Sequence, residues 1–254
     1  MFKAPESTLF MGKRIVSVAS CDSTNLLAAD LLNSGAVADG MLVITDEQRA
    51  GRGQRGNTWQ AQPGMNLTFT LVLHPLHLKV VDQFYLSMAV ALGVRDYLAG
   101  RLTGSFVKWP NDLMVNDRKI GGLLIENQIA GQLIKSSLVG IGLNINQRDL
   151  EGLAATSLAK VNNRNYDLQA ELGDLLQSLE ARWQQLQSKE YQTLADHYTR
   201  LLYGHGAIHT FRAADKLFRG TICGVDRAGR LLIDDGEEIL CFQTKEVRFA
   251  SEGY

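Results

Sequence analysis

GRGQRGNTWQ, residues 51–60, decides how the rest of the chain is read. Its first six residues satisfy G-x-G-x-x-G, the pattern of a dinucleotide-binding turn, which works only where a strand turns tightly into a helix and pyrophosphate meets helical N–H groups. Upstream, MLVIT at 41–45 reads as a buried strand, so half of that context is present. Downstream, NTWQAQPG at 57–64 carries a Pro-Gly breaker, and NLTFTLVL at 66–73 alternates in the manner of a strand. No helix opens after the glycines, and the dinucleotide reading fails. What remains is a long glycine-rich loop between two strands, carrying Arg52 and Arg55 beside backbone that can approach a ligand closely. Such a loop suits a phosphate; a mobile surface loop with solvated arginines is the competing description.

Composition narrows the partners. The 254 residues carry a formal charge of −1, which gives no general basic field for nucleic acid or a membrane surface. Any handling of anions has to be local, which favours a small charged ligand. Cys21, Cys223 and Cys241 are odd in number and far apart, arguing against a disulfide framework or a zinc site. There is no N-terminal apolar leader and no apolar run of membrane-spanning length, so a cytoplasmic protein is expected.

Working outward, RIVSVA at 14–19 is strand-like, and DSTN at 22–25 supplies helix-capping residues ahead of LLAADLL at 26–32. A buried helix is expected over 81–99, then strands over 106–109, 113–115, 119–126 and 136–145 joined by Asn-Asp turns. From 167 to about 203 the pattern is helical, with Leu172, Leu175, Leu176, Leu179, Trp183 and Leu186 on one stripe. These elements imply an α+β fold with a mixed β-sheet backed by helices. Beyond YGHG at 203–206 come five short alternating segments with turn signals between them, which reads as a small five-stranded barrel docked on the larger part. The expected division is 1–203 and 204–254.

Several segments carry chemistry. KWPND at 108–112 sets Lys108 at the end of a strand, before a proline, where its charge can stand over a cleft or simply snorkel at a sheet rim. KIGG at 119–122 and GIGLNIN at 140–146 break strands with glycines, either for a ligand or for a tight sheet crossing. Taken together, STN at 23–25, EQRAGRGQRGNTW at 47–59, KWPND, KIGG and GIGLN at 140–144 follow the order and approximate spacing of biotin protein ligases. The chain resembles that family over nearly its whole length, the small terminal barrel included.

The resemblance implies a catalytic domain like that of class II aminoacyl-tRNA synthetases, followed by an SH3-like barrel. It implies a two-step enzyme: biotin and ATP, with Mg²⁺, give biotinyl-5′-AMP and pyrophosphate, and biotin then passes to one lysine of a biotin carboxyl carrier domain. By this resemblance Lys108 and Arg52 are the catalytic cations. Ser23, Thr24, Asn25, Gln48, Arg52, Gly53, Gln54, Lys108, Gly121 and Gly122 would bind biotin. Arg52, Arg55, Trp59, Asn111, Lys119 and Asn144 would bind ATP. The roles suit the side chains: two like unit charges about 4 Å apart repel by about 1 kcal/mol in water and about 4 at a protein surface, so carboxylate and triphosphate need cations between them. A polar ureido ring enters a dry slot only if its donors and acceptors are paired, which hydroxyls and amides supply.

Two departures stand out. Many members carry arginines where this chain has Gln54 and Asn57, so this loop is the less cationic. The first strand begins by about residue 14, leaving no room for the winged helix-turn-helix of some members, so no operator binding is expected. An exposed sheet edge would serve either a homodimer or docking of the carrier. A lipoate or octanoate ligase or transferase of the same superfamily is the nearest alternative, and the pairing of GRGQRGNTW with KWPND points away from it.

Overall fold

In the computed structural model, residues 2–75, 77–150 and 152–250 are described, with the exception of the Arg55 side chain. Two sheets organise them. The larger has seven strands in the order β1-β2-β3-β7-β6-β5-β4, built from β1 (Ile15–Cys21), β2 (Met41–Gln48), β3 (Leu67–Leu73), β4 (Ser105–Lys108), β5 (Asp112–Val115), β6 (Arg118–Ala130) and β7 (Leu133–Leu143). β1 and β2 pair in parallel, linked by the crossover helix α1 (Thr24–Asn33), and every other pair is antiparallel. The sheet is therefore mixed, as the sequence implies.

One face of this sheet is covered by α2 (Phe84–Ala99), and α4 (Leu168–Gln187) packs on α2. α2 is apolar nearly all round because it is sandwiched, with Leu86, Leu92, Val94 and Leu98 all buried. The α4 stripe at 172, 175, 176, 179, 183 and 186 is buried as its spacing requires. Gly93 lets the two helices meet closely, since a Cβ there would lie 2.9 Å from the Leu179 backbone. The helical stretch from 167 divides at Lys189, whose φ of 59° ends α4 before α5 (Tyr191–Arg200) begins. A short α3 (Leu158–Asn162) is capped by the Ser157 hydroxyl.

The second sheet is antiparallel, in the order β11-β10-β9-β8-β12, formed by β8 (Ile208–Ala213), β9 (Lys216–Val225), β10 (Leu231–Asp234), β11 (Ile239–Phe242) and β12 (Val247–Phe249). Its apolar face joins the main core: Phe211, Ile222, Leu231, Ile233 and Val247 are continuous with Val107, Tyr198 and Leu202. Polar contacts fix the junction. The Trp109 indole N–H donates to the Gly229 carbonyl at 2.9 Å, and Arg227 pairs with the buried Asp82 at 2.5 Å. Trp109 thus ties the turn after β4 to the second sheet.

Candidate active site

Between the two sheets lies a cavity of about 520 Å³. Its floor is the face of β3, β6 and β7 at Thr68, Leu124, Gly140 and Gly142, its mouth is the 51–59 loop, and its far wall is the C-terminal sheet. Ser23, Thr24, Asn25, Gln48, Arg52, Gly53, Gln54, Trp59, Lys108, Asn111, Lys119 and Gly122 all line it. Residues from five separate segments of sequence therefore meet in one place.

The start of α1 supplies the first group. Ser23 occupies the N-cap position, but its side chain makes no capping bond, so the capping role expected of this stretch is not performed by that hydroxyl. Thr24 and Asn25 are instead buried in a polar chain. Gln48 Oε1 accepts from the Thr24 amide at 2.8 Å and from its hydroxyl at 3.1 Å. The fully buried Thr70 hydroxyl lies 2.8 Å from Thr24 Oγ1 and 2.6 Å from Asn25 Oδ1. Asn25 Nδ2 donates to the Leu124 carbonyl at 3.2 Å and to Glu126 Oε2 at 2.7 Å. A buried polar chain is tolerable because its members satisfy one another, and it fixes which amide atom faces which way.

The glycine pattern of β7 has a direct cause. A Cβ at Gly140 would stand 2.5 Å from Asn25 Oδ1, and one at Gly142 would stand 2.4 Å from the Trp59 ring. Trp59 lies against that bare backbone, its indole N–H buried without a partner among the described residues. Gly121 serves the other description: a Cβ there would meet the Gly142 carbonyl at 2.9 Å, so it permits a close strand crossing and does not line the cavity. Asn144 does not line it either. Its Nδ2 donates to the Thr156 carbonyl at 3.0 Å, while its buried Oδ1 has no partner among the described residues.

Lys108 ends β4, half-buried, where Pro110 stops the strand. Asn111 is tied to β6 by its Nδ2 on the Leu123 carbonyl at 2.7 Å. Asp112 opens β5 and pairs with Lys119, Nζ to Oδ1 at 2.6 Å, over Gly122, where a Cβ would stand 3.2 Å from the lysine's Nζ. In the loop, Arg52 bridges to Thr58 and reaches across to Glu126, with Nη2 3.0 and 3.2 Å from the carboxylate oxygens. The Arg55 side chain, an expected contact, lies outside the described residues. Glu126 and Thr70 were not singled out from sequence. A lone strand glutamate and a strand threonine look like ordinary sheet residues, and only the fold sets them beside Asn25. The C-terminal sheet adds Lys245 and Arg248 to the far wall, a contribution that turn-and-strand alternation gives no hint of.

Among the described residues no three His, Cys, Asp or Glu side chains cluster as metal ligands. The cavity's cations and amides suit an anionic, partly apolar occupant. A polyphosphate would carry its own divalent ion, since Mg²⁺ is commonly held through phosphate oxygens and water.

Residues 17–144 match the biotin/lipoate A/B protein ligase family, and the chain belongs to it. Among its relatives, the bifunctional ligase/repressor BirA of Bacillus subtilis is 30% identical over 241 residues, covering 91% of this chain and 73% of that protein. The biotin--[acetyl-CoA-carboxylase] ligase of Mycobacterium tuberculosis is 32% identical over 229 residues, covering 86% and 82%. The biotin protein ligase of Aquifex aeolicus, solved in complex with biotin and ATP, superimposes with a TM-score of 0.77 over 94% of this chain and 100% of that one, at 24% identity. That likeness extends over both sheets and supports the expected fold.

Proposed function

We propose that this chain is a biotin protein ligase, which activates biotin with ATP as biotinyl-5′-AMP and passes it to a lysine of a carboxylase carrier domain. The single observation carrying this reading is that Arg52 and Lys108, 56 positions apart, line one cavity whose inner end is a ready-made polar socket. The socket of Ser23, Thr24, Asn25 and Gln48 suits the ureido ring, with Trp59 and the bare strand at Gly140 and Gly142 beside the apolar body. The biotin carboxylate then points towards Lys108 and Arg52. There its oxygen attacks the α-phosphorus, the Pα–O bond to the β-phosphate breaks, and pyrophosphate leaves. Cations aimed at that point offset the charge that builds on the phosphoryl oxygens, an effect that commonly accounts for a hundredfold or more in rate. In the second step the acceptor amine attacks the acyl carbon and AMP departs.

Trp59, Asn111, Lys119 and Arg55 are assigned to the nucleotide side, with Gly53 and Gln54 offering loop contacts. Gly121 and Asn144 act from behind the wall, by letting strands approach and by fixing the turn after β7. Mg²⁺ would neutralise the triphosphate and assist departure of pyrophosphate. Asp112 is engaged with Lys119, so it is assigned to holding that lysine and not to removing the acceptor's proton. We take 1–203 as the catalytic domain and 204–254 as an SH3-like domain that closes the cavity.

Incubation with labelled ATP and either biotin or lipoate tests the assignment. Pyrophosphate release with biotin alone, followed by label-free transfer of biotin to a carrier-domain lysine, is the expected result. Release with lipoate and not biotin would assign the chain to the other branch of its family.

A further inference from the structure

We propose that Glu126 is a positioning residue with two tasks: it orients the Asn25 amide at the inner end of the cavity, and it latches the glycine loop through Arg52 until a phosphoryl group displaces it. The proposal rests on the biotin ligase reading for its ligands, but the latch itself is a property of the empty protein.

Both tasks follow from one carboxylate. Glu126 Oε2 takes one Asn25 N–H at 2.7 Å, and the Leu124 carbonyl takes the other at 3.2 Å. Asn25 can then offer the cavity only its Oδ1, an acceptor, and an acceptor is what a ureido N–H requires. Without Glu126 the amide has less to prevent it from turning over and presenting a donor. The same carboxylate meets Arg52 Nη2 at 3.0 and 3.2 Å, joining a loop residue to a strand 74 positions away. Both partners of that pair are 40% exposed, so the contact is screened by salt and is weak enough to exchange. A phosphoryl oxygen entering the cavity competes with Glu126 for the same guanidinium, which can meet phosphate through two parallel N–H bonds. The loop is thereby held near its working position before the ligand arrives, and Arg52 changes counter-ion as the cavity fills. Glu126 retains Asn25 throughout.

Glu126→Gln and Glu126→Ala separate the tasks. Glutamine keeps an oxygen that accepts from Asn25 but removes the charge; alanine removes both. Tryptic cleavage of the empty protein at the Arg52–Gly53 bond, followed by mass spectrometry, reads the latch directly. It is expected to rise about fivefold in both variants, and 0.5 M NaCl is expected to raise it in the wild-type protein and leave the variants unchanged. Biotin affinity by calorimetry reads the orientation of Asn25. It is expected to fall about tenfold in Glu126→Ala and to stay within twofold of wild type in Glu126→Gln, a rescue that loss of folding could not produce. Equal cleavage in wild type and Glu126→Gln would overturn the latch. Equal biotin affinity in wild type and Glu126→Ala would overturn the orienting role. Absence of biotin binding by the wild-type protein would instead sink the ligase reading while leaving the cleavage result interpretable.

Discussion

Single atoms, missing or added, decide what the cavity can hold. Gly142 is bare so that Trp59 can lie on the strand, and the Cβ of alanine would fall 2.4 Å from the ring. Gly142→Ala is therefore expected to push Trp59 off the floor and weaken nucleotide binding about tenfold, with a thermal midpoint little changed because the cavity side has space to receive the ring. Titration of ATP against the variant, followed by calorimetry, measures this. Gln54 lines the cavity mouth where many related loops carry arginine. Gln54→Arg should add a phosphate contact and slow release of the adenylate several-fold, read from the decay of the complex after a chase with unlabelled biotin. The charged residues of the loop and of KWPND were legible in sequence through the resemblance of the combined motifs to biotin protein ligases, since each segment alone also fits an ordinary surface. Glu126 was not, since its importance comes from the sheet register that sets Leu124 opposite Gly140 and Glu126 opposite Leu138.

Elements hold that geometry in place through a few polar clamps. The carboxylate of Glu180 on α4 is buried and accepts from the backbone N–H groups of Leu9, Phe10 and Met11 at 2.6, 2.8 and 3.0 Å, pinning the N-terminal segment to the helical layer. Glu180→Ala would leave those donors without their acceptor and is expected to cost about 2–4 kcal/mol. In a chain of this size that lowers the thermal midpoint by about 5–15 °C, measurable by scanning calorimetry. The turn between β9 and β10 carries a second clamp. Burial pushes the Asp226 carboxyl up, but the Arg230 amide and guanidinium and the Ala228 amide outweigh it and hold the group below its ordinary 3.8. A carboxyl depressed in the folded state contributes stability above its unfolded value and loses it as pH falls through the folded one. The C-terminal sheet should accordingly loosen first below about pH 4. Hydrogen exchange at residues 221–234 across pH 5 to 3 follows this, and Asp226→Asn should show the loosened behaviour already at pH 5. Strand periodicity made the strands visible in sequence, while the break at Lys189 was hidden because Gln187, Ser188, Lys189 and Glu190 include no glycine or proline to mark it.

Across the whole molecule, the cavity exists only because two sheets face each other. The sequence marks both by their texture, but nothing in it states that the second closes the first, since the contacts are long-range: Trp109 to Gly229, Arg227 to Asp82, and a core shared between Val107 and Phe211. Removing the C-terminal sheet would expose that core and open the cavity on one side, so the assembled whole is what can protect a hydrolysable mixed anhydride from water. Inside this enclosure Arg52 and Lys108 are proposed to act together on one developing charge. Single-turnover formation of biotinyl-5′-AMP in Lys108→Gln and Arg52→Gln tests it most directly, with biotin affinity measured alongside. Each variant should form the adenylate at least a hundredfold more slowly while binding biotin within tenfold of wild type. Adenylate formation at the wild-type rate in either variant would show that the two cations do not share that task.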